Sequence, residues 1–237
     1  MSDRDHKVAI VTGGSQGIGA GLVAAYRRQG WAVVANSRTI RPSEDPDVLT
    51  VEGDVSEPAT SDRLIGEALA RFGRIDTLIN NAGVFISKAF TDYTAGDYAT
   101  VVGVNLTGFF QLTQRAITEM LTRGGGHVVN ITTTLVDHAN SEVPSVLTSL
   151  TKGGLAAATR SLAIEYASRG IRVNAVSPGV IQTPLHGQDS YDALARLHPL
   201  GRAGQVRDIV DGILFLEESP FITGEVLHID GGQIAGH

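Results

Sequence analysis

The chain has no cysteine among its 237 residues, which excludes disulfide bonds, thiolate nucleophiles and thiolate metal sites. It also lacks a long apolar run. No uninterrupted stretch approaches the roughly 18 residues that a membrane-spanning helix needs, and the opening residues MSDRDHK are charged, unlike a secretion signal. An excess of positive charge is missing as well: 19 basic against 25 acidic residues give a net charge of −6, which argues against nonspecific binding to nucleic acid or to an anionic membrane. The seven histidines contain no two-histidine helical ligand motif, so no dedicated metal site is expected. These exclusions leave a cytoplasmic protein with a small-molecule substrate as the expectation.

What is present is an alternation. Short runs rich in Val and Ile alternate with longer helical patterns, the signature of a parallel sheet buried on both faces. Strands are expected at Val8–Thr12, Ala32–Asn36, Val48–Glu52, Thr77–Asn80, His127–Thr132, Arg172–Ser177 and Val226–Ile229, and helices near Gly17–Arg28, Ser61–Phe72, Tyr98–Thr122, Ser145–Ser168 and Val206–Glu217. The stretch Thr39–Asp47 carries Pro42 and Pro46 and is expected to cross as a loop. One α/β domain over residues 1–237 accommodates all of this. Residues 184–204, where Gly, His, Pro and Asp interrupt the apolar pattern, are expected to form a substrate lid.

The first strand runs into Thr12-Gly13-Gly14-Ser15-Gln16-Gly17-Ile18-Gly19 and then a helix. Glycines there allow a tight turn and a close approach to a pyrophosphate, which the free amides and positive end of the helix attract. After the second strand, Ser37 and Arg38 stand where an acid would bond the ribose hydroxyls of NAD. An acid repels a 2′-phosphate and this pair welcomes one, so NADP(H) is preferred; Arg41 is positioned to share or replace the role of Arg38.

Together with Asp54-Val55, Asn80-Asn81-Ala82-Gly83, Asn105, Lys152, Pro178-Gly179, Pro199-Leu200-Gly201-Arg202 and the terminal Ile222-Thr223-Gly224-Glu225 leading to Asp230-Gly231-Gly232, the glycine turn resembles the short-chain dehydrogenase/reductase family nearly end to end. The resemblance implies a three-layer Rossmann-like sandwich with a seven-stranded parallel sheet. The dinucleotide would lie across the strands' carboxyl ends, with Gly13, Ser15, Gln16, Gly17, Ile18 and Gly19 at its phosphates. Asp54 and Val55 would flank adenine, Asn81, Ala82 and Gly83 would line the adenosine side, Lys152 would bond the nicotinamide ribose, and Pro178, Gly179, Ile181 and Thr183 would border the nicotinamide and pyrophosphate. Each has a structural alternative: Asp54 as a turn or helix cap, Asn105 as a buried amide satisfying backbone groups. The resemblance further implies a homodimer or homotetramer through the helices Tyr98–Thr122 and Ser145–Ser168.

In that family a Tyr-x-x-x-Lys pair opens the helix after the fifth strand, with a serine upstream and an asparagine on the preceding helix. Four residues before Lys152 stands Thr148, not tyrosine. Thr133 aligns with the serine, and the lengthened interval to Thr148 leaves Thr132 and Thr134 open. An alkyl hydroxyl is far less acidic than a phenol of pKa about 10, and it is shorter by a ring. Asn105, Thr133, Thr148 and Lys152 are thus the candidate catalytic group. Asp137 and His138 after the fifth strand, His186, and Tyr191 are alternative proton sources. Two functions follow: an oxidoreductase for a small carbonyl, alcohol or imine, or a non-catalytic NADP(H)-binding sensor or subunit.

Overall fold

The computed structural model describes residues 6–184 and 194–236. Seven strands, β1 (Val8–Thr12), β2 (Ala32–Ser37), β3 (Val48–Glu52), β4 (Thr77–Asn80), β5 (Gly126–Ile131), β6 (Ile171–Pro178) and β7 (Val226–Ile229), form one sheet in the order β3-β2-β1-β4-β5-β6-β7. Every neighbouring pair is parallel. All five residues of β1 are buried, as a strand covered on both faces requires. Its alternate side chains divide between the layers. Val8 and Ile10 face Leu64, Leu112 and Met120, whereas Ala9 and Val11 face Leu22, Ile209 and Ile213; each fully buried aliphatic side chain contributes about 1.5–3 kcal/mol.

The first of these layers contains α2 (Pro58–Phe72), α4 (Phe109–Thr122) and α5 (Val146–Tyr166), and the second α1 (Gly17–Arg28) and α6 (Val206–Glu218). The expected strand and helix positions are met within a few residues. Several boundaries differ. Helix α2 starts earlier, at Pro58, because proline fits a first helical turn. Strand β5 stops at Ile131, leaving Thr132 to bond across to Val176 outside the strand. The single helix expected over Tyr98–Thr122 begins at Ala95 under a capping box made by Thr94 and Asp97, and divides at a π-helical turn, Gly103–Gly108, between α3 (Ala95–Val102) and α4.

Between β2 and β3 the chain crosses without a helix, and Arg27 fastens that crossing through Asp45 at 2.8 Å and Asp47 at 3.0 Å. Leaving out the helix brings the end of β2 to the rim of the site unobstructed. The order of the sheet reverses between β1 and β4, the switch point where a crevice opens beyond the strand ends. Among the described residues no helix is long and apolar enough to cross a membrane.

Candidate active site

A cleft of about 530 Å³ lies over the carboxyl ends of the strands. Its floor is tied together by one threonine. Thr12 Oγ1 accepts the backbone N–H groups of Asn81 at 3.0 Å and Ala82 at 2.9 Å, while the Asn81 amide donates to Thr12 O at 2.8 Å. The ends of β1 and β4 are thereby held at a fixed spacing across the switch point. Gly13 has φ +66°, and a Cβ on Gly19 would stand 2.1 Å from Gly13 O, so the first turn of α1 packs against the preceding loop at a distance open only to glycine. This cradle leaves the amides at the head of α1 facing the cleft.

Gly13, Ser15, Gln16, Gly17 and Ile18 line the cleft, as do Ser37, Arg38, Asp54, Val55, Asn81, Ala82, Gly83, Pro178, Gly179, Ile181 and Thr183. Gly19 supports the turn from behind and is buried. Asn36, missed in the sequence, is fully buried at the end of β2. Its amide nitrogen donates to Val51 O and Gly53 O, and its Oδ1 has no partner among the described residues. Burial raises the Asp54 carboxyl, but hydrogen bonds from Ser56 and the positive charge of Arg38 outweigh it and hold the group below its usual range. Arg41 is exposed and is not part of the cleft wall.

The opposite end gathers the candidate catalytic group. The π-helical turn projects Asn105 inward, and such turns recur at functional sites. Asn105 Oδ1 accepts Val84 N–H at 2.9 Å, and its Nδ2 donates to Val84 O at 3.0 Å and Thr151 Oγ1 at 3.2 Å. Its contacts are therefore with the chain after β4 and with α5, which it holds together. Lys152 is buried, and its Nζ donates to Ile131 O at 2.6 Å. Burial lowers its pKa to about 8, so the ammonium is charged at neutral pH with donors left for a ligand.

Thr132, Thr133, Thr134 and Thr148 all line the cleft. Thr132 donates to Val176 O and Thr134 to Gln233 Oε1. Thr133 is half-buried and among the described residues its hydroxyl only accepts Leu135 N–H, at 3.4 Å, which separates it from its two neighbours. The buried Thr148 Oγ1 has no partner among the described residues. Asp137 pairs with His228 at 3.1 Å, and neither Asp137 nor His138 belongs to the cleft wall. His186 and Tyr191 lie outside the described residues.

Residues 198–204 of the expected lid are anchored. Gly204 N–H donates to Val180 O at 2.9 Å, Gln182 N–H to Gly204 O at 2.8 Å, and Val180 N–H to His198 Nε2 at 3.0 Å. Burial keeps the His198 imidazole below its usual pKa, in the neutral form that this bond requires. Sequence reasoning missed His198, although it directly precedes Pro199-Leu200-Gly201-Arg202. It also missed Gln233, next to Gly231-Gly232, for which no spacing rule offered a signal.

These features fit a nicotinamide dinucleotide. The glycine cradle, the partnerless Asn36 Oδ1 at the β2 end and the buried ammonium with donors to spare match a phosphate, a ribose and a second ribose in order along the cleft.

Comparison with known proteins points the same way. Residues 13–233 match the family model described as Enoyl-(Acyl carrier protein) reductase. The chain is 33% identical to 3beta-hydroxysteroid dehydrogenase 1 of Eggerthella lenta, covering 98% of this chain and 95% of that one. Among solved structures, ElxO with NADP bound superimposes with a TM-score of 0.91 at 28% identity, over 98% of this chain and all of the other. A tyrosine-to-phenylalanine variant of ElxO with NADPH bound does so equally, at 29% identity. A short-chain type dehydrogenase/reductase from Mycobacterium marinum gives a TM-score of 0.91 at 28% identity, covering 97% and 96% of the two chains. The 3-ketoacyl-(acyl-carrier-protein) reductase from Brucella melitensis complexed with NADH gives 0.87 at 28%, covering 96% and 98%.

Proposed function

The chain belongs to the short-chain dehydrogenase/reductase family, and from that premise we propose that it is an NADP(H)-dependent oxidoreductase for a small carbonyl, alcohol or imine, with Thr148 in place of the usual tyrosine. The observation that carries this reading is Lys152, a buried ammonium fixed by Ile131 O beside Thr133 and Thr148 in one cleft, with Asn105 buried outside the cleft wall. A buried cation without a carboxylate partner is costly, and it persists where a ligand needs it.

Bound NADP(H) supplies or accepts the hydride at its nicotinamide. The amides heading α1 take the pyrophosphate, and Ser37 and Arg38 take the 2′-phosphate. Asp54 and Val55 flank adenine, while Asn81, Ala82 and Gly83 line the adenosine side. Lys152 directs its free N–H groups to the nicotinamide ribose. Pro178, Gly179, Ile181 and Thr183 border the nicotinamide, held in place from behind by His198 through Val180.

The Thr133 hydroxyl polarises the substrate's carbonyl or imine. Thr148, whose hydroxyl has no partner within the described residues, holds a water or donates a hydrogen bond without acting as an ordinary acid. An imine suits such a site because an iminium arrives already protonated, and hydride addition then needs no strong acid. The reading extends to a homodimer or homotetramer through α4 and α5, where Phe110, Leu150 and Ile164 expose apolar surface; a solution mass measurement decides the number of chains.

The test is NADPH consumption with ketone and cyclic imine panels, for the wild type and for Thr148→Tyr. Imine reduction by the wild type is expected, together with a rise of roughly 10²–10⁴ in ketone reduction by Thr148→Tyr. Saturable NADPH binding with no turnover of any compound by either protein contradicts the proposal.

A further inference from the structure

Beside Thr133 and Thr148 the cleft is walled with carbon: Val84 and Phe85 after β4, Leu135 and Val143 between β5 and α5, and Leu194 and Leu197. One long polar side chain enters from elsewhere. Gln233 begins a short helical turn, Gln233–Ala235, after β7. It is only 3% exposed and yet lines the cleft.

Both ends of this side chain are fixed. At its root, the Asp230 carboxylate accepts the N–H groups of Gly232 and Ile234, each at 2.9 Å, and Gln233 N–H donates to Asp230 O at 3.2 Å. At its tip, Oε1 accepts the Thr134 hydroxyl at 3.1 Å. The described residues give Nε2 no acceptor. With its oxygen paired to Thr134, the amide of this cleft-lining residue keeps its N–H donors for whatever occupies the cleft. Thr134, its anchor, is buried, whereas the neighbouring Thr133 is half-buried with its hydroxyl accepting only Leu135 N–H. The amide therefore reaches the chamber independently of the hydroxyl assigned to the reacting atom.

We propose that Gln233 is a specificity-determining residue whose N–H groups bind a hydrogen-bond acceptor of the substrate other than the atom that exchanges hydride. The preferred substrate class is an apolar carbonyl or imine compound bearing a second acceptor oxygen. This rests on the reading of the cleft as the hydride-transfer site. An apolar body fits the six-residue wall, and the second oxygen fits the amide donor of Gln233. A substrate without that oxygen leaves the amide unpaired, which is the basis of the discrimination.

The experiment is calorimetric titration of the NADP⁺-loaded protein with a β-keto ester and with the simple alkyl ketone of equal chain length, so that binding is read without turnover. The wild type is expected to bind the ester about tenfold more tightly, the ratio set by one net hydrogen bond. Gln233→Leu removes the preference while NADP⁺ and ketone affinities stay as they were. Gln233→Glu keeps the size of the side chain but presents an acceptor in place of the donor, and reverses the preference. A preference retained in Gln233→Leu, or one unaltered in Gln233→Glu, overturns the assignment. So does a wild type that binds NADP⁺ but does not distinguish the two compounds, and in that case the cofactor reading stands. A wild type that binds no NADP⁺ overturns the cofactor reading, and the assignment with it.

Discussion

Lys152 shows how a single residue couples the fold to the chemistry. Its ammonium is buried with Ile131 O as its one hydrogen-bond partner among the described residues, and burial lowers its pKa from the usual 10.5 to about 8. Between those two values the unfolded chain holds a proton that the folded chain has released, so folding stability rises with pH across that window. In urea unfolding the wild type is expected to gain about 3 kcal/mol relative to Lys152→Met between pH 8 and 10.5. Parallel stability profiles for the two proteins would show that the ammonium is not desolvated. The sequence disclosed the position of Lys152, through its place in a helix after the fifth strand, but not its burial. Thr148 was legible in the same way, by counting back four residues, whereas its partnerless hydroxyl emerged only when α5 was packed against the sheet.

The strand ends and the segments between them decide the ligand. Crossing from β2 to β3 without a helix leaves Ser37 and Arg38 open to the cleft. Prolines in Thr39–Asp47 made that loop readable in advance. Arg38→Ala is expected to weaken NADPH binding roughly tenfold to a hundredfold, the range for a charge-assisted hydrogen bond, and to leave NADH binding unchanged. Fluorescence titration with both dinucleotides reads the ratio, and an equal loss for the two would remove the 2′-phosphate assignment. The π-helical turn that projects Asn105 was not legible, because one extra residue in a turn barely disturbs an apolar period. Nor was Gln233. Its partner Thr134 lies 99 residues earlier in the chain, and only the completed sheet, with β5 and β7 flanking β6, brings the two together.

Across the whole molecule, stability and ligand binding occupy opposite ends of the sheet. Below the sheet Glu217 accepts Tyr26 Oη at 2.9 Å, His127 Nδ1 at 3.0 Å and Thr77 Oγ1 at 3.0 Å, joining α6 to α1, β5 and β4. Asn174 Nδ2 faces His127 Nε2 at 3.1 Å, which makes that ring nitrogen the acceptor and places the proton on Nδ1. Burial lowers the His127 pKa. Burial alone would raise Glu217, but its hydrogen bonds outweigh that and keep it below its usual range. In both cases the unfolded chain takes up protons first as the pH falls, so the network loses stability in acid. Glu217→Ala is expected to cost about 1–3 kcal/mol for each buried donor it strands, with NADPH affinity of the folded protein unchanged. Urea unfolding beside a dinucleotide titration checks both halves, and a parallel loss of affinity would show that the two ends are coupled.

The claim that this cleft carries hydride chemistry is tested most directly by following the hydride itself. NADPH deuterated at the transferable position, incubated with the protein and the carbonyl and imine panels, is predicted to deliver deuterium to carbon in at least one product, seen by mass spectrometry and abolished in Lys152→Met. Tight NADPH binding with no label in any product would contradict the account and leave a dinucleotide-binding protein that performs no reduction.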